Sequence, residues 1–164
     1  MKRFLIMLLA AVLILSLAGC GNDDETVIKA VQDTEEGSGE LIEAVYYHGD
    51  DNAEKLIEEK AELPLGYGVQ DVLDLLFEKE VLNERVRVNS SNQEGEELLS
   101  IDLSHEFQDQ LRSCGTAGEF ILMGSLVNTL IKNFGVSEIN ISIEGQCLES
   151  GHEIYDYTLN YFEN

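Results

Sequence analysis

The stretch from Thr116 to Ile143 most constrains what this chain can become. Phe120, Met123, Val127, Leu130, Ile131 and Phe134 recur at helical spacing, and Ile121, Leu122 and Leu126 widen that stripe. Gly135 stands where a left-handed cap is wanted. Immediately afterwards Ile139, Ile141 and Ile143 alternate with Glu138, Asn140 and Ser142, the pattern of a strand with one buried face. A broad apolar helix followed by a one-sided strand buries both surfaces by packing helix on sheet. Thr116-Ala117-Gly118-Glu119 reads as a capping box, which starts the helix at Thr116 and returns the Glu119 carboxylate to the Thr116 amide.

The segments before this unit supply the rest of the sheet. Leu41 to Tyr47 is rich in branched and aromatic residues and ends at the turn cluster His48 to Asn52. Ala53 to Leu63 stays open between helix, favoured by its Glu and Lys content, and a hairpin partner, suggested by its place after a turn and before Pro64. Val69, Val72, Leu73, Leu76 and Phe77 predict an amphipathic helix of about 12 residues. Arg85 to Val88 and Leu99 to Leu103 alternate as two antiparallel strands joined by the turn-forming Asn89 to Gly95. Ser104 to Gln110 predicts a short helical turn, and Glu144-Gly145 turns the isoleucine strand into Gln146 to Glu149. The expected class is α+β, an antiparallel sheet with two helices packed on one face.

The N-terminus sets the compartment. Lys2 and Arg3 precede Phe4 to Leu15, a run with no charged or polar side chain, and then Ser16-Leu17-Ala18-Gly19-Cys20. This is the build of a secretory signal: a basic start, a hydrophobic run shorter than the roughly 20 residues needed to cross a bilayer, and small residues at the cleavage point. Leu17-Ala18-Gly19-Cys20 resembles the lipobox of bacterial lipoproteins. That resemblance implies diacylglycerol on the Cys20 thiol and loss of residues 1–19. Two acyl chains at about 0.8 kcal/mol per buried CH₂ hold a protein on a membrane durably. Gly21 to Gly39 carries Asp23, Asp24, Glu25, Asp33, Glu35 and Glu36 against Lys29 and reads as an extended tether reaching at most about 65 Å. Within it Thr26 to Val31 is apolar enough for a short strand or turn. The expected organisation is a signal peptide over 1–19, a lipidated cysteine and acidic tether over 20–39, and a folded domain over 40–164.

Ten Lys and Arg stand against 32 Asp and Glu, a formal charge of −22. Nucleic-acid affinity comes largely from basic side chains releasing counterions from phosphates, so nucleic acid is excluded as a partner. Anionic lipid head groups repel the domain for the same reason, and a protein partner should be basic or be met through uncharged surface.

Leu99-Ser100-Ile101-Asp102-Leu103-Ser104-His105-Glu106-Phe107 is similar to the GerMN domain of sporulation and spore-germination lipoproteins, where a strand ending Val-Asp-Leu-Ser leads to an acidic residue and Phe. The likeness continues through Gly118-Glu119, Leu126 to Leu130, Phe134-Gly135-Val136, Glu144-Gly145 and Leu148 to His152, and spans about residues 40 to 160. Leu56 to Leu63 is similar to the family's second strand, which favours the hairpin reading there. The resemblance implies an extracytoplasmic α+β domain akin to ring-building motifs, a structural or interaction role in assemblies at the forespore membrane or in germination, no catalytic activity and no cofactor. This chain carries one copy of the domain, and its Ser90 to Glu97 loop is longer and more acidic than usual.

Three histidines, His48, His105 and His152, sit beside acids or turn residues, and Asp50, Glu106 and Glu153 complete a metal site only on paper, since no pair has zinc-site spacing. Asp50-Asp51-Asn52 lacks the alternating ligands of a calcium loop. Gly124-Ser125-Leu126 is not a nucleophile elbow, because that motif needs Gly-x-Ser-x-Gly at a strand-to-helix turn, and no phosphate-binding glycine loop occurs. Cys114 and Cys147 remain for a disulfide once Cys20 is lipidated. A bridge across them would stabilise by roughly 3 to 4 kcal/mol, but if Leu148 faces the core then Cys147 faces away. Tyr155, Tyr157, Tyr161 and Phe162 form an aromatic tail with two readings, packing across the helices or an exposed docking strip. The expected function is a non-enzymatic lipoprotein on the outer side of the cytoplasmic membrane that binds envelope or forespore-membrane proteins. The alternative is an acidic ligand- or cation-sensing lipoprotein, and a wall-hydrolase accessory enzyme would require two converging carboxylates or a His-acid pair in a cleft.

Overall fold

In the computed structural model, which describes residues 39–164, the chain runs through ten elements: β1 (Leu41–Gly49), β2 (Leu56–Pro64), α1 (Val69–Glu78), β3 (Val88–Glu94), β4 (Leu98–Leu103), α2 (His105–Ser113), α3 (Thr116–Phe134), β5 (Glu138–Ile143), β6 (Gln146–Glu149) and β7 (Ile154–Tyr155). The class is α+β. The signal peptide, Cys20, the tether to residue 38 and the Thr26 to Val31 segment lie outside the described residues.

β1 and β2 form the hairpin, antiparallel from Leu41 opposite Pro64 to Gly49 opposite Leu56. Asp50 closes its turn by accepting the amides of Glu54 at 2.7 Å and Lys55 at 3.2 Å. A second sheet has the order β3-β4-β5-β6-β7. In β4 and β5, Leu99, Ile101, Leu103, Ile139, Ile141 and Ile143 are buried while Ser100, Asp102, Asn140 and Ser142 are not, so the alternation seen in the sequence sets the facing.

Two expectations about this sheet are corrected. β4 and β5 are parallel, with Leu99 beside Ile139 and Leu103 beside Ile143. The sheet is therefore mixed, because α2 and α3 cross over between these strands and carry the chain back to the end where β4 began. β3 occupies Val88–Glu94, overlapping the turn expected at Asn89 to Gly95, and the chain turns at Gly95 with φ of +59°. Ser90 to Glu94 read as a turn because their side chains are all exposed, as an edge strand allows. Val86 is buried but lies before the strand.

The short turn expected after Ser104 is a full helix, α2, which buries Phe107 and Leu111. α3 begins at Thr116 as expected, but no capping box forms. Gly115 is the N-cap, its carbonyl accepts the Glu119 amide at 2.8 Å, and the Glu119 side chain turns inward. Leu122, Met123, Leu126, Val127 and Leu130 are buried, whereas Phe120 is 38% exposed and leaves the predicted stripe. Ser125, Asn128 and Thr129 are fully buried too, because α3 packs against the hairpin as well as the larger sheet. The approach to β2 is close at Gly124, where an added Cβ would lie 2.5 Å from a Leu56 methyl and 3.2 Å from Phe162 Cβ. Gly135 closes α3 at φ of +64°.

Five side-chain amides join the elements by copying a strand's hydrogen-bonding pattern. Asn133 accepts from Val45 N at 3.1 Å and donates to Val45 O at 2.7 Å. Asn128 does the same with Phe162, at 2.8 and 2.9 Å, and Asn164 with Leu56, at 2.6 and 3.1 Å. Gln70 bridges Val86 O and Val88 N, and Gln110 bridges Val81 O and Asn83 N. A carboxamide carries the same donor and acceptor as a peptide group, so each clamp satisfies backbone groups that no strand reaches. The chain after β7 is held this way, and also by Leu159, whose N–H and C=O exchange hydrogen bonds with Ile139 at 2.7 and 2.8 Å.

Candidate functional site

The motif strand β4 ends in structural chemistry. Asp102 accepts from Ser142 Oγ at 2.6 Å, Gly145 N at 2.7 Å and Asn89 Nδ2 at 3.0 Å, which ties β3, β5 and the β5-β6 turn together. The Ser142 hydroxyl chiefly, with the Gly145 amide and Asn89, holds the Asp102 carboxyl below its ordinary range. Ser104 is buried and accepts the Arg87 amide at 2.8 Å.

The expected metal and nucleophile residues fall in separate places. His48 Nδ1 lies 2.7 Å from Gly49 O, its Nε2 lies 3.5 Å from Glu59, and its ring stacks on Tyr46. His105 lies 3.3 Å from Glu144 and 3.9 Å from Glu106. Asp50 is engaged in its own turn. Among the described residues no three His, Cys, Asp or Glu side chains gather within reach of one metal ion. Cys114 and Cys147 are unpaired: Cys147 is exposed on β6 while its neighbour Leu148 is buried, and Cys114 is half-buried with Sγ 3.4 Å from Gln110 O. Burial, then the charge of Glu119, pushes the Cys114 thiol up, away from the thiolate a nucleophile needs.

The aromatic tail walls a cleft of about 560 Å³ between the first turns of α3 and residues 152–162. Tyr155 and Phe162 are packed, Phe162 meeting Phe120 edge-on at 5.6 Å, so this part of the tail packs across α3. Tyr157 and Tyr161 remain 49% and 41% exposed. Tyr161 is steadied by its hydroxyl donating to Tyr47 Oη at 3.1 Å and by Lys132 over its ring at 5.7 Å. Glu119, only 6% exposed, lies in the wall of the cleft. Its Oε1 accepts from the buried Tyr155 hydroxyl at 2.7 Å, and Oε2 is sealed from water with no hydrogen-bond partner. Burial, then the hydrogen bond to Glu119, raises the Tyr155 phenol, and Tyr157 is raised by burial and then by Glu153, Asp156 and Glu119. The sequence marked these aromatics, but Glu119 read as a cap. Its inward turn depends on Tyr155, which lies 36 residues away.

The domain thus has helices on a mixed sheet with an open aromatic cleft at one side. Residues 44–149, more than half of the chain, match the family model "Germane: Sporulation and spore germination", and the chain belongs to that family. Among solved structures it is similar to the tandem GerMN domains of the sporulation protein GerM from Bacillus subtilis, with 10% identity and a TM-score of 0.51 over 80% of this chain and 48% of that one. This chain thus spans about half the length of that tandem structure, and the likeness concerns the fold. A crystal structure of a candidate lipoprotein from Clostridium perfringens matches with 13% identity and a TM-score of 0.43, over 73% of this chain and 87% of that one. No curated protein matches the sequence. Among the described residues no helix is long and apolar enough to cross a membrane.

Proposed function

We propose that this chain is a non-catalytic interaction domain held by lipid on Cys20 at the outer face of the cytoplasmic membrane, where it docks envelope or forespore-membrane proteins during sporulation or germination. The observation that carries the docking role is the aromatic cleft, in which Phe120, Tyr157 and Tyr161 stay exposed on a surface otherwise dominated by acids. Family membership supports the sporulation or germination setting. The lipobox-like Leu17 to Cys20 supports the anchor, and the separate placement of the histidines and cysteines supports a role without catalysis.

The anchor is tested by Cys20→Ala, which should move the protein out of the membrane fraction and abolish fatty-acid labelling. Labelling that persists in the variant sinks it. The docking face is tested by a photo-crosslinking residue placed at Tyr157 and, as a control, at Asn140 on the polar face of the sheet. Adducts in sporulating cells should form at the first position and not the second.

A further inference from the structure

The cleft has one group that docking through aromatics alone leaves unexplained. Glu119 is a buried carboxylate with one hydrogen bond, from Tyr155, where buried charged groups are normally paired or fully hydrogen-bonded. Among the described residues no Lys, Arg or His forms an ion pair with it. Its place in the first turns of α3 eases the negative charge through the helix dipole but supplies no partner to Oε2. Around it stand the exposed rings of Phe120 and Tyr157, and Tyr157 lies beside Tyr155 at 6.0 Å between centroids. Aromatic faces next to a lone carboxylate attract a cation and repel an anion.

We propose that the cleft receives a protonated amine or guanidinium carried on a basic segment of a partner protein, with its N–H groups directed at Glu119 and its alkyl stem against Phe120 and Tyr157. This rests on the reading of the cleft as the docking face. The free acceptor calls for an N–H donor, which a quaternary ammonium lacks. A metal ion needs several ligands, and no such cluster occurs among the described residues. The open cleft of about 560 Å³ has room for a side chain with its flanking backbone. Lining side chains shift rotamer for the donor to reach Oε2, as is common when proteins bind. A net charge of −22 draws a basic segment in. The tail wall of the cleft, residues 152–162, lies beyond the 44–149 match, so the family match does not itself assign this site.

The test uses the full chain in detergent micelles with its Tyr and Phe rings isotopically labelled. It is titrated with capped pentapeptides that differ only in a central Arg, Lys, Gln or Glu. The Arg and Lys peptides should shift the Tyr157 and Phe120 ring signals and bind at least tenfold more tightly than the Gln peptide, with the Glu peptide weaker still. Glu119→Gln keeps an acceptor for Tyr155 and should reduce that preference to less than threefold. Tyr157→Ala, at a half-exposed position on which the fold does not depend, should weaken the Arg peptide several-fold. Equal binding of Arg and Gln peptides at the cleft overturns the cationic partner while leaving the docking face standing. No cleft shift with any peptide, together with no adduct at position 157, overturns both. Agmatine binding as tightly as the Arg peptide overturns the partner segment in favour of a free amine.

Discussion

Helix α3 carries two kinds of buried or half-buried polar group, and they behave differently. Asn128 and Asn133 have donor and acceptor both engaged by a main chain brought in from elsewhere, and Thr129 accepts the Tyr47 amide at 3.0 Å while donating to Ser125 O at 2.6 Å. Nearer the start of the helix, Glu119 has half its capacity met. Complete satisfaction marks a group whose work is to fix the fold. Incomplete satisfaction beside an open cleft marks one left available to something outside the chain. Asp102 sharpens the contrast, because it is also a carboxylate and has three donors arranged around it.

The strongest way to break this comparison is Asn128→Ala. It leaves the Phe162 N–H and C=O without partners in a part-buried setting and should cost roughly 2 to 4 kcal/mol in urea unfolding. A loss under about 1 kcal/mol would mean the clamps are incidental.

Asp102 gives a smaller, pH-dependent effect. Its folded carboxyl titrates below the unfolded value of 3.8, so its stabilisation is present above that value and fades as pH falls through the folded one. The stability gap between the parent and Asp102→Asn should therefore be steady near neutrality and shrink as pH falls below about 4. A gap that widens on acidification reverses the assignment.

Glu119→Gln should change stability by no more than about 1 kcal/mol, since it removes an unpaired buried charge and keeps the acceptor for Tyr155. A loss above about 2 kcal/mol would place Glu119 with the clamps instead. Tyr157→Ala should change stability least, within about 0.5 kcal/mol in urea unfolding, as for exposed positions generally.

Much of the fold was legible in local pattern. The 3.6-residue repeat of Val69 to Phe77 and of Met123 to Leu130 gave α1 and α3, and the period-two runs at Leu99 and Ile139 gave β4 and β5 with their correct facing. β3 was misplaced because an edge strand with both faces exposed carries no alternation to read. The parallel pairing of β4 and β5 was missed because direction depends on where α2 and α3 return the chain. Of the site, Tyr155, Tyr157, Tyr161 and Phe162 stood out by composition. Glu119 did not, because four residues that fit a capping box locally were overruled by a tyrosine from the tail.

The sequence by itself determined which surfaces are apolar, where most elements start and stop, and an overwhelming negative charge, because these depend on side chains within a few residues of one another. Tertiary structure alone decided which polar groups are complete. An asparagine on a helix looks the same whether it faces water or holds Val45, 88 residues away, and a glutamate in a first helical turn looks like a cap until folding puts it under the tail. Hydrogen bonds between distant segments leave no period in the chain, so the clamps and the unpaired carboxylate exist only once the backbone has closed around them.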